Sequence, residues 1–297
     1  MPNEVIQSFK AALLPIEKRK RTVAYLGSHL ENVVFILSSG RTGTTAMARY
    51  LSECCEGTLA LHEPKPSRIL RMASSRRLAR RLTNEQMSQM LRRKRQRLVS
   101  QIDQPNYVES NPYLYGFVEV LGEVFQRPKV IHVVRDPRTM IRSALNFGAQ
   151  SGIKRIVTAL LPYWLIKPDR VEENPERRWR DMSAVERIAW YWRTVNSHLD
   201  QGSKVYGDDY TRVRYEDLFS SDGAGIRQLI EKLGLEERPG VLEELLASRV
   251  NRSRGNVMPA WPDWPEADCK ALDHQCGELM RQYGYAADSL GTIEAAQ

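Results

Sequence analysis

The stretch Val33-Val34-Phe35-Ile36-Leu37-Ser38-Ser39-Gly40-Arg41-Thr42-Gly43-Thr44-Thr45 limits the possible folds more than any other part of the chain. Its first five residues are all apolar, the mark of a strand covered on both faces, as in a parallel sheet. The run enters a loop of glycine and hydroxyl residues, and the loop opens a helix predicted over Thr44–Glu53. Such a junction turns backbone N–H groups and the positive end of a helix toward an anion. Gly40 and Gly43 let the backbone turn tightly and approach a ligand, and Thr44 and Thr45 add hydroxyl donors. A nucleoside triphosphatase loop, G-x-x-x-x-G-K-[ST], would need glycine at Ser38 and lysine at Thr44. The loop is therefore a phosphate cradle of a different make.

At 297 residues and 42% hydrophobic composition, the chain is long enough to bury a full core. No apolar run reaches the roughly 18–20 residues that a membrane span requires. Ile6 to Ile16 is interrupted by charge, and Lys18-Arg19-Lys20-Arg21 follows it, which is not the order of a secretory signal. Cys54, Cys55, Cys269 and Cys276 are too few and too oddly spaced for a disulfide framework or a metal site. Buried thiols and a cytoplasmic location are expected instead.

Charge is concentrated in one place. Arg68 to Arg97 holds eleven arginines and lysines against one acid, Glu85, which exceeds the formal +8 of the whole chain. Such a segment either attracts an anionic ligand or forms helices whose outer face is solvated. Leu70, Leu78, Leu82, Met87, Met90, Leu91 and Leu98 have partly helical spacing, compatible with both readings.

Strands are predicted at Asn32–Leu37, Thr58–Leu61, Tyr107–Glu109, Lys129–Val134 and Thr211–Arg214. Helices are predicted at Thr44–Glu53, Arg68–Leu82, Glu85–Gln101, Tyr115–Phe125, Arg138–Phe147, Ser183–Asp200, Ile226–Leu233 and Pro265–Tyr283. The pattern is α/β: a three-layer, P-loop-like fold with a central parallel sheet flanked by helices. It reads as a single domain over 1–297, with an N-terminal extension at 1–30 and a basic helical segment at 66–104. A third region, 149–182, reads as an insertion or lid carrying an apolar piece, Ile156 to Ile166.

A second signal is Lys129-Val130-Ile131-His132-Val133-Val134-Arg135-Asp136-Pro137-Arg138, continuing to Ser143. It puts an arginine at the carboxyl end of a core strand, where open α/β sheets bind ligands. Pro137 suits the first turn of a helix, and Ser143 falls about two turns along it. Arg135 and Ser143 could grip a second phosphate. The plainer alternative is a sheet-edge arginine and a solvent-facing serine.

The loop Ser39 to Thr45, the segment Val134-Arg135-Asp136-Pro137 to Ser143, and the later Val213-Arg214-Tyr215-Glu216-Asp217-Leu218 together resemble the sulfotransferases that use 3′-phosphoadenosine 5′-phosphosulfate (PAPS). Their spacing is closest to that of carbohydrate and tyrosylprotein sulfotransferases. The resemblance implies that Ser39, Gly40, Arg41, Thr42, Gly43, Thr44 and Thr45 bind the 5′-phosphosulfate, and that Arg135 and Ser143 bind the 3′-phosphate. It also implies that Arg252 and Arg254, in Arg252-Ser253-Arg254-Gly255, belong to a loop closing over the donor. Arg41 stands where the family places lysine or arginine beside the bridging oxygen. A sulfuryl group carries less charge than a phosphoryl group, so a metal is not obligatory. Fixed cations and oriented amides can stabilise the leaving phosphate.

The acceptor hydroxyl needs a base. Leu59-Ala60-Leu61-His62-Glu63-Pro64 offers two at the end of a strand. Glu63, 22 residues beyond Arg41, resembles the glutamate base of tyrosylprotein and glycosaminoglycan sulfotransferases. His62 is the competitor or a substrate contact, and the plain alternative for Glu63 is an ion pair with a nearby arginine. Ser110 and Asn111, after another strand, are expected to line the acceptor site. Trp190, Tyr191 and Trp192 are expected mainly to pack the core, as is His132.

The expected activity is transfer of a sulfuryl group from PAPS to a hydroxyl of a carbohydrate or glycolipid, with Glu63, Arg41 and His62 as catalytic candidates. The expected partners are that acceptor, with an anionic glycan or glycolipid as a candidate, with peripheral membrane contact allowed and no specific nucleic acid. Two other classes compete. One is a phosphate-loop kinase using ATP and magnesium, with Asp136 available to the metal. The other is a polyanion-binding protein built on the Arg68–Arg97 segment.

Overall fold

The computed structural model describes residues 24–149, 163–247, 258–261 and 263–285. Five strands form its centre: β1 (Asn32–Ser38), β2 (Thr58–His62), β3 (Asn106–Ser110), β4 (Lys129–Val134) and β5 (Tyr210–Arg214). All neighbours are parallel, in the order β2-β3-β1-β4-β5. Parallel pairing requires crossovers, and the helices provide them. Those described are α1 (Thr44–Cys54), α2 (Ser67–Leu78), α3 (Asn84–Val99), α4 (Pro137–Asn146), α5 (Ala184–Leu199), α6 (Ala224–Leu233), α7 (Val241–Ala247) and α8 (Glu266–Gln282), with shorter turns between them.

The apolar run in β1 is explained by its two faces. Val33, Phe35 and Leu37 point one way and pack with Leu70 of α2, Leu91 of α3 and Trp190 of α5. Val34 and Ile36 point the other way and pack with Met47 and Leu51 of α1, Leu229 of α6 and Leu242 of α7. The period of two along a strand therefore builds two cores, and the result is three layers. No helix among the described residues is long and apolar enough to cross a membrane.

One predicted helix is broken. Tyr115–Phe125 divides into a 3-10 turn, Pro112–Phe117, and a four-residue helix, Leu121–Val124. The cause lies in α2. Ser74 Oγ accepts from the Gly116 N–H (3.1 Å) and donates to the Tyr113 carbonyl (2.6 Å), replacing bonds that a helix would make within itself. The chain passes so close that a Cβ on Gly116 would stand 2.5 Å from the Ser74 Cα. Asn111 caps the same turn by accepting from the Tyr113 N–H at 3.0 Å. At the other end of α2, Arg80 takes a left-handed φ of 54° and ends the helix short of the predicted Leu82.

His198 on α5 is set against the Arg77–Glu119 pair, and its Nε2 is buried with no partner among the described residues. Burial, outweighing the nearby Glu119 carboxylate, lowers its pKa from 6.5 to about 4. Between those values the unfolded chain binds a proton that the folded chain refuses, so stability falls as the solution is acidified through this window. Wild type should lose about 2–3 kcal/mol from this group between about pH 7 and 4.5. Urea unfolding of wild type and His198→Gln at both pH values should show a shallower loss in the variant; parallel losses would refute the assignment.

Candidate functional site: a phosphate cradle at the sheet's switch point

The chain leaves β1 toward β2 on one side and crosses from β3 to β4 on the other, so the crevice between β1 and β4 is the switch point of the sheet. The register Ser38↔Val133 brings the loop after β1 and Arg135 after β4 side by side there. Within the loop, Gly40, Arg41 and Gly43 all have positive φ (88°, 57° and 69°). Gly43 is doubly constrained, because a Cβ would stand 2.5 Å from the Phe219 ring. No side chain caps α1, so the orphan N–H groups of its first turn remain available at its positive end. Thr42 Oγ1 is buried and has no partner among the described residues. These are the features expected of a cradle built for an anion.

Arg135 is held on three sides. Its Nε donates to Thr139 Oγ1 (3.1 Å), its Nη1 donates to the Arg41 carbonyl (2.8 Å), and its guanidinium lies 4.2 Å from the centre of the Tyr215 ring. Tyr215 belongs to the Arg214-Tyr215-Glu216-Asp217 segment, which the sequence marked without revealing its task. Glu216 contributes too: its carboxylate accepts from the Asp136 N–H (3.1 Å) and the Tyr285 hydroxyl (2.9 Å). Burial raises the pKa of Glu216 in that position, against the bonds it accepts.

Ser143 on α4 faces the loop. Arg41 donates to Ser143 Oγ from Nε (3.2 Å) and Nη2 (3.1 Å), and stacks 4.4 Å from the centre of Phe147. The sequence assigned Arg41 and Ser143 to two separate phosphates, whereas the fold puts them in direct contact. Burial of the Arg41 head, and then the facing charge of Arg135, lower the Arg41 pKa. A pair of facing guanidinium groups is costly unless an anion lies between them.

The same cavity, about 1090 Å³, is lined by loop residues, Arg135, Ser143, His62 and Glu63. Glu63 leaves β2 with a left-handed φ of 45°. Both Arg41 and Glu63 thus sit on backbone that ordinary side chains avoid, a type of strain that collects at functional sites. His62 Nδ1 lies 3.0 Å from the Ser110 carbonyl, which can only accept, so that nitrogen carries the proton. The other ring nitrogen, Nε2, then faces Glu63 Oε1 at 3.5 Å.

Behind Glu63 is a buried network that the sequence did not disclose. Arg95 and Glu109 are both fully buried and joined by two bonds, of 2.7 and 2.6 Å. Arg95 also donates to the carbonyls of Pro64 (3.2 Å) and Lys65 (3.4 Å), the residues directly after Glu63. Tyr107 and Asn111 complete the bonding of the Glu109 carboxylate at 2.8 and 2.7 Å. This corrects the expectation for two residues. Ser110 donates to the Thr44 carbonyl (2.8 Å), Asn111 bonds Ser67 and Glu109, and both are fully buried, so neither lines the acceptor cavity.

Asp136 is likewise committed. It is fully buried, caps α4 and holds Arg138 through bonds as short as 2.6 Å, which removes it as a metal ligand beside the loop. Trp190 and Trp192 are buried in the core as expected, and His132 is buried between Tyr210 and Asn196. Tyr191 lines the cavity. The basic segment divides: Arg77 pairs with Glu119 and Arg95 with Glu109, while Arg68 and Arg71 line the cavity. Arg252, Arg254 and the piece from Ile156 to residue 162 lie outside the described residues.

A parallel α/β sheet with an uncapped helix and two arginines at its switch point is an arrangement suited to a phosphate-bearing ligand. The sequence profile of the sulfotransferase family matches residues 33–239, a span that contains every one of these elements. The chain belongs to the PAPS-dependent sulfotransferase family and is an enzyme of that activity, with PAPS implied as sulfuryl donor. Two solved structures have a similar fold. A sulfotransferase domain from the curacin biosynthetic pathway has 16% identity and a TM-score of 0.50, covering 86% of this chain and 99% of its own. A sulfotransferase from Alicyclobacillus acidocaldarius has 16% identity and a TM-score of 0.50, covering 87% and 98%. No curated protein sequence is similar at a significant level.

Proposed function

We propose that Glu63 is the base that activates an acceptor hydroxyl on a carbohydrate or glycolipid, and that Arg41 is the cation at the leaving phosphate. The observation that carries this reading is a single cavity shared by the uncapped start of α1, the Arg135–Ser143 pair and Glu63. PAPS brings the sulfuryl group on its 5′-phosphate. Glu63 takes the proton from the acceptor hydroxyl as that oxygen bonds to sulfur, in line with the bond that breaks. The breaking bond leaves its electron pair on the phosphate oxygen, and 3′,5′-bisphosphoadenosine departs. Arg41 and the N–H groups at the start of α1 stabilise that charge without reorganising.

Arg135, steadied by Tyr215, and Ser143 supply the 3′-phosphate grip. The free thiols Cys54, Cys55 and Cys276 are buried, and burial pushes Cys54 up to about 11 and Cys55 up to about 12. Such unreactive thiols accord with a cytoplasmic setting.

The test is a calorimetric titration with four ligands: 3′,5′-bisphosphoadenosine, adenosine 5′-monophosphate, ATP with magnesium, and duplex DNA. Charge-assisted bonds to the 3′-phosphate should favour the first over the second by about 100-fold. Replacing Arg135 with methionine should erase most of that preference while leaving the weak binding of the monophosphate. Preference for ATP with magnesium would overturn the reading in favour of a kinase.

A further inference from the structure

One face of α5 touches both halves of the donor site. Trp192 Nε1 donates to the Arg135 carbonyl (2.9 Å). Asn196, one turn further along, donates from Nδ2 to Ser39 Oγ (3.4 Å). Ser39 opens the phosphate loop and lines the cavity, whereas Asn196 is fully buried.

The direction of the Asn196–Ser39 bond is fixed by its neighbours. Asn196 Nδ2 also lies 2.9 Å from the Trp192 carbonyl, which can only accept, so the amide nitrogen is the atom that faces Ser39. The amide oxygen, Oδ1, is turned to His132 Nε2 at 2.9 Å, and that ring nitrogen therefore carries a proton. On the other side of the ring, the Tyr210 hydroxyl lies 2.7 Å from Nδ1. Asp200 anchors the far end of these bonds. It accepts from the hydroxyls of Tyr283 (2.7 Å) and Tyr210 (3.4 Å) and from Arg212 Nη1 (3.0 Å). An amide clamped in this way does not present its oxygen to Ser39.

A serine hydroxyl has one proton to donate and two lone pairs with which to accept. Because Asn196 donates to Ser39 Oγ, the Ser39 proton is not spent on Asn196. Ser39 makes no other side-chain hydrogen bond among the described residues. Its hydroxyl is thus kept as a donor for the cavity, and a phosphate or sulfate oxygen only accepts. A hydroxyl that already accepts one bond is also polarised into a stronger donor.

We infer that Asn196 is a positioning residue for the sulfuryl donor: it sets Ser39 as a hydrogen-bond donor to the 5′-phosphosulfate, and His132 fixes the amide that does so. This rests on the donor assignment above.

The experiment titrates the full chain with 3′,5′-bisphosphoadenosine and with adenosine 3′-monophosphate, so that the ratio of the two affinities isolates the 5′-phosphate. Ser39→Ala, a small change in the loop, should lower that ratio about 10-fold or more, the worth of a hydrogen bond to a charged group. Asn196→Leu should lower it about 3- to 10-fold, because the hydroxyl remains but is free to turn. Affinity for adenosine 3′-monophosphate within about twofold of wild type shows that each variant is folded. In the double variant the ratio should equal that of Ser39→Ala alone, since Asn196 then has no hydroxyl to set. An asparagine that only packs the core would give losses that multiply, or an equal fall in affinity for both nucleotides, and either result overturns the proposal. His132→Leu tests the clamp without touching Asn196. It should lower the ratio about threefold, and His132→Gln, whose amide nitrogen can take the place of Nε2, should restore most of it. Equal ratios in those two variants, or an unchanged ratio in Ser39→Ala, overturn the proposal while leaving the donor site standing. Wild type that binds neither nucleotide, or both equally, overturns the donor reading together with this one.

Discussion

Replacement of Glu63 by glutamine is expected to reduce kcat by about 10²- to 10⁴-fold, the range associated with loss of a general base. The substitution is unusually clean in this setting. His62 Nε2 lies 3.5 Å from Glu63 Oε1, and a glutamine of the same shape can keep that geometry. Only the capacity to accept a proton is lost. Affinity for 3′,5′-bisphosphoadenosine should not change, because Glu63 is two strands away from the phosphate loop. His62→Ala should cost less, since His62 orients the carboxylate and does not replace it. Turnover within a few-fold of wild type in Glu63→Gln, with none in His62→Ala, would make His62 the base.

The second large effect concerns stability. Removing one partner of the buried Arg95–Glu109 pair, as in Glu109→Leu, should destabilise the protein by about 3–5 kcal/mol because it strands a charge in the core. In a protein of this size that is roughly 10 °C in Tm, readable by differential scanning calorimetry. The double variant Arg95→Met/Glu109→Leu should recover much of the stability, since apolar side chains of similar volume can replace a buried ion pair. It should not recover activity, because Arg95 also anchors the carbonyls of Pro64 and Lys65 immediately after Glu63. Reduced kcat with a near-normal Tm would identify Arg95 as a positioning residue for the base. Full activity in the double variant would reduce the pair to an ordinary core contact.

The two expectations together show why a fold and its site are unequally legible. Continuous apolar runs marked β1 and β4, and the structure closes the starts of α3 and α5 with capping boxes, Thr83 with Gln86 and Ser183 with Glu186. Helix α7 escaped notice because seven residues are too few to establish a period. Tyr115–Phe125 was misread because its hydrogen bonds go to Ser74, 42 residues away from Gly116. Local pattern cannot report a partner that distant.

The site divides in the same way. Glycines, hydroxyls and a cation in one loop declare an anion cradle wherever they follow a buried strand, because backbone geometry alone builds it. The positions of Arg135 and Ser143 beside the loop were legible in the same way, as a strand end and a helix position two turns on, and both line the cavity. What depended on packing was invisible: Tyr215 under Arg135, Arg95 behind Glu63, and the commitment of Ser110, Asn111 and Asp136 to the core. Within a run of eleven cations, nothing in the residues distinguishes Arg71 from Arg77 or Arg95. The three differ only in what the fold brings to each, a carboxylate for two of them and two aromatic rings for the third. Residue order thus sets what a short segment can bind through its own backbone, and the tertiary structure decides which charged side chains remain free to bind anything at all.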